Sequence, residues 1–342
     1  MRRLRILVLM HPDFVPPDSS DGYTAQEINK WKTEYDVVST LRAAGHNVRP
    51  LGVQEEIKPV RDEIEGFEPH VVFTLLEEFH YQTGYDQHIA SFLELMKVPY
   101  TGCNPRGLVL ARGKDLSKTL VHHRRISVPA FAVFPMRRKV QRPRHLALPL
   151  IVKSLNEDGS HGISQASIVD TDEKLAERVA FIHERIETAA IAEQFIDGRE
   201  LYVGVLGNNR LRALPVWELK FGTMGGAHHI ATEKVKHDTS YQERVGIEDG
   251  PAEGLAPEVS ARIQRTAKRI YRTLGLDGYA RIDFRLASDG TPYFIEANPN
   301  PEIAKSQEFA TAARHDGLEY LDLLHRILAL GIRRTKAGAS VG

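Results

Sequence analysis

The chain has 342 residues, with 45 Lys and Arg against 45 Asp and Glu, and a pI near 7.3. Hydrophobic residues at 42% and charged residues at 26% describe a globular protein, and zero net charge speaks against a nucleic-acid partner held by bulk positive charge. The single cysteine, Cys103, leaves no intramolecular disulfide and no Cys-based zinc cluster, and runs such as Ile6–Met10 and Val71–Leu76 fall far short of the ~20 apolar residues a membrane helix needs.

At ~150 residues per domain the length predicts two or three domains. Arg2, Arg3 and Arg5 before Ile6–Met10 mimic a signal peptide, but the apolar run is shorter than the usual ~7–15 residues. A buried first strand is the better reading, in a soluble cytoplasmic protein with no membrane and no nucleic-acid partner. A helix follows around Thr33–Ala44, closed by Gly45, then strands at Asn47–Leu51 and Val71–Leu76. Ile89, Phe92, Leu93 and Met96 mark one helix face. This alternation predicts a small doubly wound α/β domain over residues 1–103, with ligands at the carboxyl ends of its strands, near His11–Asp13 and Glu77–Glu78.

Residues 104–190 read as a central unit, with a short helix at Lys114–Val121 and a strand at Leu150–Lys153. A polar Gly-rich loop comes next, then a helix with Leu175, Val179, Ile182 and Ile186 inward. Residues 191–332 open with strands at Ala192–Ile196 and Glu200–Leu206 and pass through an aperiodic stretch, 222–255, that reads as a long functional loop. They end in a helix, a hairpin and a last helix carrying Leu318, Leu321, Leu324 and Leu328. Residues 333–342 read as a frayed tail.

The hairpin holds the most informative pattern. In Tyr279–Leu286 the side chains alternate, so Ala280, Ile282, Phe284 and Leu286 form an apolar face, and Arg281, Asp283 and Arg285 share the other. A two-residue turn at Asp289-Gly290 would pair Ser288 with Thr291. Counting outward then sets Asp283 opposite Glu296 and Arg281 opposite Asn298. Two carboxylates across a ladder lie ~5 Å apart and repel. A raised pKa, a neighbouring arginine or a bound cation could each relieve them. An oxygen-only set of Asp, Glu and Asn suits a hard ion such as Mg²⁺, while Arg281 and Arg285 could equally neutralise the acids on a solvated face.

Other signals are weaker singly. Lys153 ends a buried strand beside a Gly/Ser loop, which suits phosphate. Gly107 to Lys114 resembles a Walker loop, but it has five residues between its glycines and Asp115 after the lysine, so it is rejected. Glu193 and Glu200 flank a Gly198 turn and could accept hydrogen bonds from a base or a ribose. No histidine pair has metal-binding spacing, and Cys103 has no base placed with it.

In this order, these residues resemble the ATP-grasp superfamily, and within it D-alanine–D-alanine ligase and related carboxylate–amine ligases. The resemblance implies an ATP-grasp fold, α/β and α+β, with an N-terminal Rossmann-like domain. It implies that Lys114 and Lys153 hold phosphates, that the loop carrying Gly159, Ser160 and Gly162 closes over them, and that Lys234 reaches the γ-phosphate. Glu193 and Glu200 match the adenine-side and ribose acids, with Phe195 and Ile196 on the hinge. Asp283, Glu296 and Asn298 match a two-Mg²⁺ ligand set, with Mn²⁺ an alternative ion. Arg281, with Ser160 and Lys234, is expected to be catalytic. The partners implied are a small carboxylate and a small amine, amino acids in type, with homodimers common in the family. The reaction implied is ATP-dependent amide formation through an acyl phosphate; an ATP-grasp kinase and a non-catalytic ATP sensor are the alternatives.

The departures concern the substrate. Family ligases carry Gly-Gly-x-Ser after the first strand, where this chain has His11-Pro12-Asp13-Phe14. Glu34 is an approximate counterpart of the glutamate that holds the first amino group, and Glu77 replaces a histidine. Asn-x-x-Pro-Gly becomes Asn298-Pro299-Asn300-Pro301-Glu302, and the serine near the second substrate's carboxylate falls at Ser306 or Gln307. The expectation is therefore a ligase with a different acid–amine pair.

Overall fold

The computed structural model describes residues 3–156, 164–221 and 246–338, the last four without their side chains. Three sheets organise the chain. The first is parallel, ordered β2 (Asn47–Gly52), β1 (Arg5–Met10), β3 (Val71–Thr74). Helices α1 (Ala25–Lys30), α2 (Lys32–Ala43), α3 (Lys58–Phe67) and α4 (Asp86–Leu95) punctuate it, as strand–helix alternation predicts. Thr24 starts α1 with a reciprocal capping box to Glu27.

Helices α5 (Pro105–Arg112) and α6 (Lys114–His123) lead to an antiparallel sheet of β4 (Phe131–Phe134), β5 (Leu150–Ser154), β6 (Ile168–Val169) and β7 (Ala190–Gln194). Helix α7 (Asp172–Arg185) covers it through Leu175, Val179 and Ile182, all essentially sealed from solvent. Because β7 pairs with both β4 and β5, residues 191–194 belong to this sheet, and the chain changes sheet four residues later than the sequence suggests.

The third sheet is antiparallel, ordered β11 (Glu248–Pro251), β10 (Trp217–Lys220), β8 (Arg199–Leu206), β12 (Tyr279–Leu286), β13 (Pro292–Pro299), with β9 (Arg212–Ala213) also on β8. The aperiodic stretch therefore contains a strand, at 248–251, which has too little apolar alternation to announce itself. Helix α8 (Pro257–Thr273) buries Ile263, Ala267 and Ile270 in the same core as Ala280, Ile282 and Phe284, so the expected apolar face of β12 is the core face.

Two helices close the chain, the short α9 (Glu308–His315) and the long α10 (Tyr320–Gly338). Rather than covering the third sheet alone, α10 packs Leu323, Leu324, Ile327 and Leu328 into the core formed by Ile6, Val8, Val37 and Phe73. The expected tail instead continues α10 to Gly338. Arg334 ion-pairs with Asp277 at 2.7 Å and lies over the Tyr100 ring at 4.4 Å. The end of the chain thus fastens the first sheet to the third. No helix among the described residues is long and apolar enough to cross a membrane.

Candidate active site

The hairpin pairs Asp283 with Glu296 and Arg281 with Asn298, as the turn count predicts, but by a different route. Leu286 pairs with Pro292, so the connection spans 287–291 and not two residues. The register then shifts at Ile295, where a bulge restores the expected pairing. A bulged residue leaves ladder groups without strand partners. Here the Ile295 carbonyl accepts a hydrogen bond from Lys118 Nζ on α6.

Lys118 is fully buried, and its ammonium also lies 3.1 Å from Glu193 Oε1 on β7. Lys153 on β5 reaches the other carboxylate oxygen, Oε2, at 3.2 Å. Burial pushes the Glu193 carboxyl up, and the two ammoniums outweigh it, holding it below its usual range. Glu296 adds negative charge near both lysines. One helix, two strands of the central sheet and the bulge of the third sheet therefore meet on a single ion cluster. Neither Glu193 nor Lys153 sits on a solvated surface turn. Lys114 is also buried, one helical turn before Lys118 on the same face of α6.

Glu200 opens β8 and stands directly across from Arg285 of β12, with an ion pair at 2.7 Å and a hydrogen bond from the Tyr202 hydroxyl at 2.7 Å. Phe195 and Ile196 lie in the link between β7 and β8, where the chain passes from the second sheet to the third. Arg281 forks onto Asp283, Nε to Oδ1 and Nη2 to Oδ2, both at 2.9 Å, and reaches Glu308 at 2.9 Å. Asn298 Nδ2 donates to Asp283 Oδ2 at 2.9 Å. Of the three ways to relieve facing carboxylates, a neighbouring arginine is in place. This face is not solvated: Asp283 is 5% and Arg285 7% exposed.

Among the described residues no three His, Cys, Asp or Glu side chains group as metal ligands. The expected set takes its third oxygen from Asn298. A carboxylate offers about four lone-pair positions, of which Arg281 and Asn298 occupy three on Asp283. With Glu296 across the ladder and the Asn298 amide, Asp283 makes up an oxygen-bearing donor set of the kind that suits a hard divalent cation.

Beside this face lies a cavity of about 550 Å³. His11, Glu34 and Glu77 line it from the first unit, and Tyr279, Asn300 and Glu302 from the third. Its two walls are tied by Thr33 Oγ1 donating to Glu302 Oε1 at 3.0 Å and by the Lys305 amide donating to Asp36 Oδ2 at 2.9 Å. Asn300, at a positive φ of 54°, accepts a hydrogen bond from the Cys103 amide at 2.7 Å. A Cβ on Gly102 would meet that Asn300 oxygen at 2.6 Å, so only glycine lets the two units approach. Burial pushes the Cys103 thiol up to about 12, which leaves it a packing residue.

Glu34 of α2 lines the cavity together with His11, Glu77 and Glu78, which follow the ends of β1 and β3. Ser306 is exposed and does not line it, because the chain has already turned away toward α9. Gln307 is also outside the lining, although its side chain hydrogen-bonds Glu302. Gly159, Ser160, Gly162 and Lys234 lie outside the described residues. Lys118 and Arg285 were missed as site residues; their only sequence signals are the i,i+4 step from Lys114 and the two-residue step from Asp283.

A family model, "D-ala D-ala ligase C-terminus", matches residues 120–329. A D-alanine–D-alanine ligase of Desulfotalea psychrophila is 32% identical, over 77% of this chain and 79% of its own. An uncharacterized protein of Sinorhizobium fredii is 29% identical over 87% of both chains. Among solved structures, a D-alanine–D-alanine ligase from Bacillus anthracis superposes with a TM-score of 0.77 at 19% identity, covering 98% of this chain and 99% of that one, which speaks for the fold. The family match and the relatives together show that this protein belongs to the D-alanine–D-alanine ligase family of the ATP-grasp superfamily, enzymes that use ATP to form a C–N bond with release of ADP.

Proposed function

We infer that the protein joins the carboxylate of one amino acid to the amine of a second small molecule, through an acyl phosphate formed from ATP, and that the pair is not D-alanine with D-alanine. The observation that carries this reading is one face of β12. Tyr279 lines the cavity, Arg281 and Asp283 follow at two-residue steps, and Arg285 holds Glu200. At ~3.3 Å per residue, Tyr279 to Asp283 spans ~13 Å and Tyr279 to Arg285 ~20 Å. That is a run from an amino-acid cavity, past a phosphoryl-transfer centre, to a nucleotide sugar.

The chemistry needs such a run. A carboxylate is a poor acyl donor because oxide would have to leave. Attack of its oxygen on the γ-phosphorus breaks the bond to ADP and makes a mixed anhydride. A neutral amine then adds to the carbonyl carbon, and phosphate leaves with the original carboxylate oxygen as the nitrogen loses a proton. In this reading Lys114 and Lys153 hold the phosphates, Glu200 takes a ribose hydroxyl, and Glu193 keeps Lys153 charged and in place. Arg281 steadies the negative oxygen that develops on the carbonyl carbon. Asp283, Glu296 and Asn298 would hold two Mg²⁺, or Mn²⁺, which supply charge neutralisation at the phosphoryl group. Lys234 and the Gly159–Gly162 loop, with Ser160, would complete the enclosure and keep water from the anhydride. A homodimer belongs to the reading as the family's habit.

Isotope transfer tests the route. With an amino acid labelled with ¹⁸O in both carboxylate oxygens, one label should appear in inorganic phosphate for each amide formed. ADP formed with a stable phosphoester, or label kept wholly in the acid, would mean a kinase and overturn the ligase reading.

A further inference from the structure

Arg281 is held from three elements, and one of its holders has no part in the chemistry derived above. Its own strand supplies Asp283, which accepts from Nε and Nη2 at 2.9 Å each. Strand β8 lays the Tyr202 ring under the guanidinium, with Cζ 4.7 Å from the ring centre. The Tyr202 hydroxyl is fixed in turn on Glu200 at 2.7 Å. Helix α9 brings Glu308, whose Oε1 accepts from Nη1 at 2.9 Å. A guanidinium is a planar fork of N–H groups, so acceptors along its edges and a ring on its face set both its position and its tilt.

The fold makes room for the Glu308 contact. Gly204 of β8 pairs directly with Arg281, and a Cβ there would meet the Leu214 side chain at 2.6 Å and the Phe309 ring at 2.9 Å. A side chain at position 204 would push the start of α9 off the sheet, and Glu308 immediately precedes Phe309. Phe309 itself is buried and packs T-shaped on Tyr279, with ring centres 5.6 Å apart. Ala310, Ala312 and Ala313 are buried with it. Helix α9 therefore has an apolar seat of its own, and the Glu308 carboxylate is not what docks it. Glu308 stands in the first turn of α9, where the helix dipole favours negative charge.

Between the end of β13 and Glu308 runs the segment that gives the cavity Asn300, Pro301, Glu302 and Ile303. Asn298 ties its start to Asp283, Nδ2 to Oδ2 at 2.9 Å, and Glu308 ties its end to Arg281. The cavity wall and the arginine are thus fastened to one another at both ends of the segment. We propose that Glu308 is a positioning residue for Arg281, holding the guanidinium where the carbonyl oxygen of a substrate resting on this wall gathers negative charge. The proposal rests on the ligase reading above and adds a residue that acts through Arg281 alone. An oxyanion donor is effective because it is in place before the charge develops, and a helix end fixes a side chain more firmly than a loop does.

The test is a double-mutant cycle on the full-length enzyme with Mg-ATP. The substrates are the pair that yields most amide in a panel of D- and L-amino acids, with ADP release and amide mass both followed. Glu308→Ala should lower kcat by about tenfold to a hundredfold, the cost of displacing a reacting group by about 1 Å. The Kd for ATP by isothermal titration and the melting temperature should stay close to wild type. Glu308→Gln keeps an oxygen for Nη1 and should recover kcat to within about threefold of wild type, the difference between a charged and a neutral acceptor. In an Arg281→Ala background, Glu308→Ala should cost nothing further. Wild-type kcat in Glu308→Ala, or the same loss with and without Arg281, would overturn the proposal, while amide made by the wild type keeps the ligase reading. No amide from the wild type with any pair would overturn the ligase reading, and this role with it.

Discussion

The two halves of the site manage charge in opposite ways. Along the strands of the second and third sheets, charged groups have close partners of opposite sign: Glu193 between Lys118 and Lys153, Glu200 on Arg285, Asp283 in the fork of Arg281. In the cavity, the described lining brings Glu34, Glu77, Glu78 and Glu302 to one space with Lys30, Lys32 and His11. The first arrangement holds its own geometry because each charge has a close partner, on another element for Glu193 and Glu200 and within β12 for Asp283. In the second, burial and the charges of Glu77 and Glu302 push the Glu34 carboxyl up to about 7. A ligase needs both, a rigid frame for in-line phosphoryl transfer and a receptive pocket that distinguishes substrates.

The contrast can be broken at several points. The largest effect is expected from Asp283→Ala, which removes a phosphoryl-side carboxylate while Arg281 keeps its Glu308 partner. ATP turnover should fall by about a thousandfold or more, with the melting temperature shifted by only a few degrees; phosphate release at the wild-type rate would refute the assignment. Next comes Lys118→Met. Removing one cation from a buried cluster costs about 3–5 kcal/mol, measurable by urea unfolding. Combined with Glu193→Gln, the loss should be smaller than the sum of the two single changes. Full additivity would show that Lys118 and Glu193 do not act together.

A smaller change is expected from Glu200→Gln, about tenfold in the KM for ATP with kcat largely kept, as for one charged hydrogen bond to a sugar hydroxyl. The same change in kcat instead would place Glu200 nearer the chemistry than the ribose. Glu34→Gln is read in stability, and its effect goes the other way. Because the native carboxyl titrates near 7 against an ordinary value of 4.5, the native state binds the proton more tightly. Wild-type stability should therefore fall as pH rises from about 4.5 to about 7, and stay flat above, by up to about 3 kcal/mol. The variant should melt higher than wild type at pH 8 and lose that advantage by pH 5. Parallel melting curves at both pH values would mean that Glu34 carries no such strain.

Much of the frame was legible because it rests on local pattern. Alternation named the two faces of β12, and Gly45 and Gly275, both at positive φ, close the helices their positions predicted. The pairing of Asp283 with Glu296 was reached through a turn one step too short, and a bulge at Ile295 cancelled the error. No residue type there announces a bulge. Its stabiliser, Lys118, lies 177 positions away in sequence, on a helix. Arg285 was visible on the right face, but its partner Glu200 depends on β8 lying beside β12, a choice among many antiparallel orders. The cavity was least legible of all. Glu34, Glu77 and Glu302 carry no shared spacing, and the closure of α10 on the first sheet, together with the Asp36–Lys305 and Thr33–Glu302 ties, brings them to one cavity. Sequence reasoning placed Ser306 at the substrate because it counted along the chain and could not see α9 turn away.

The most direct measurement of the central claim is the stoichiometry of ADP to amide product, read by coupled ADP release and mass detection on the same samples across pairs of amino acids. The account predicts ADP release that requires an amine acceptor, one ADP for each C–N bond formed, and no phosphorylated product left over. Release of ADP that ignores the amine, or that tracks a stable phosphoester instead of an amide, would contradict it.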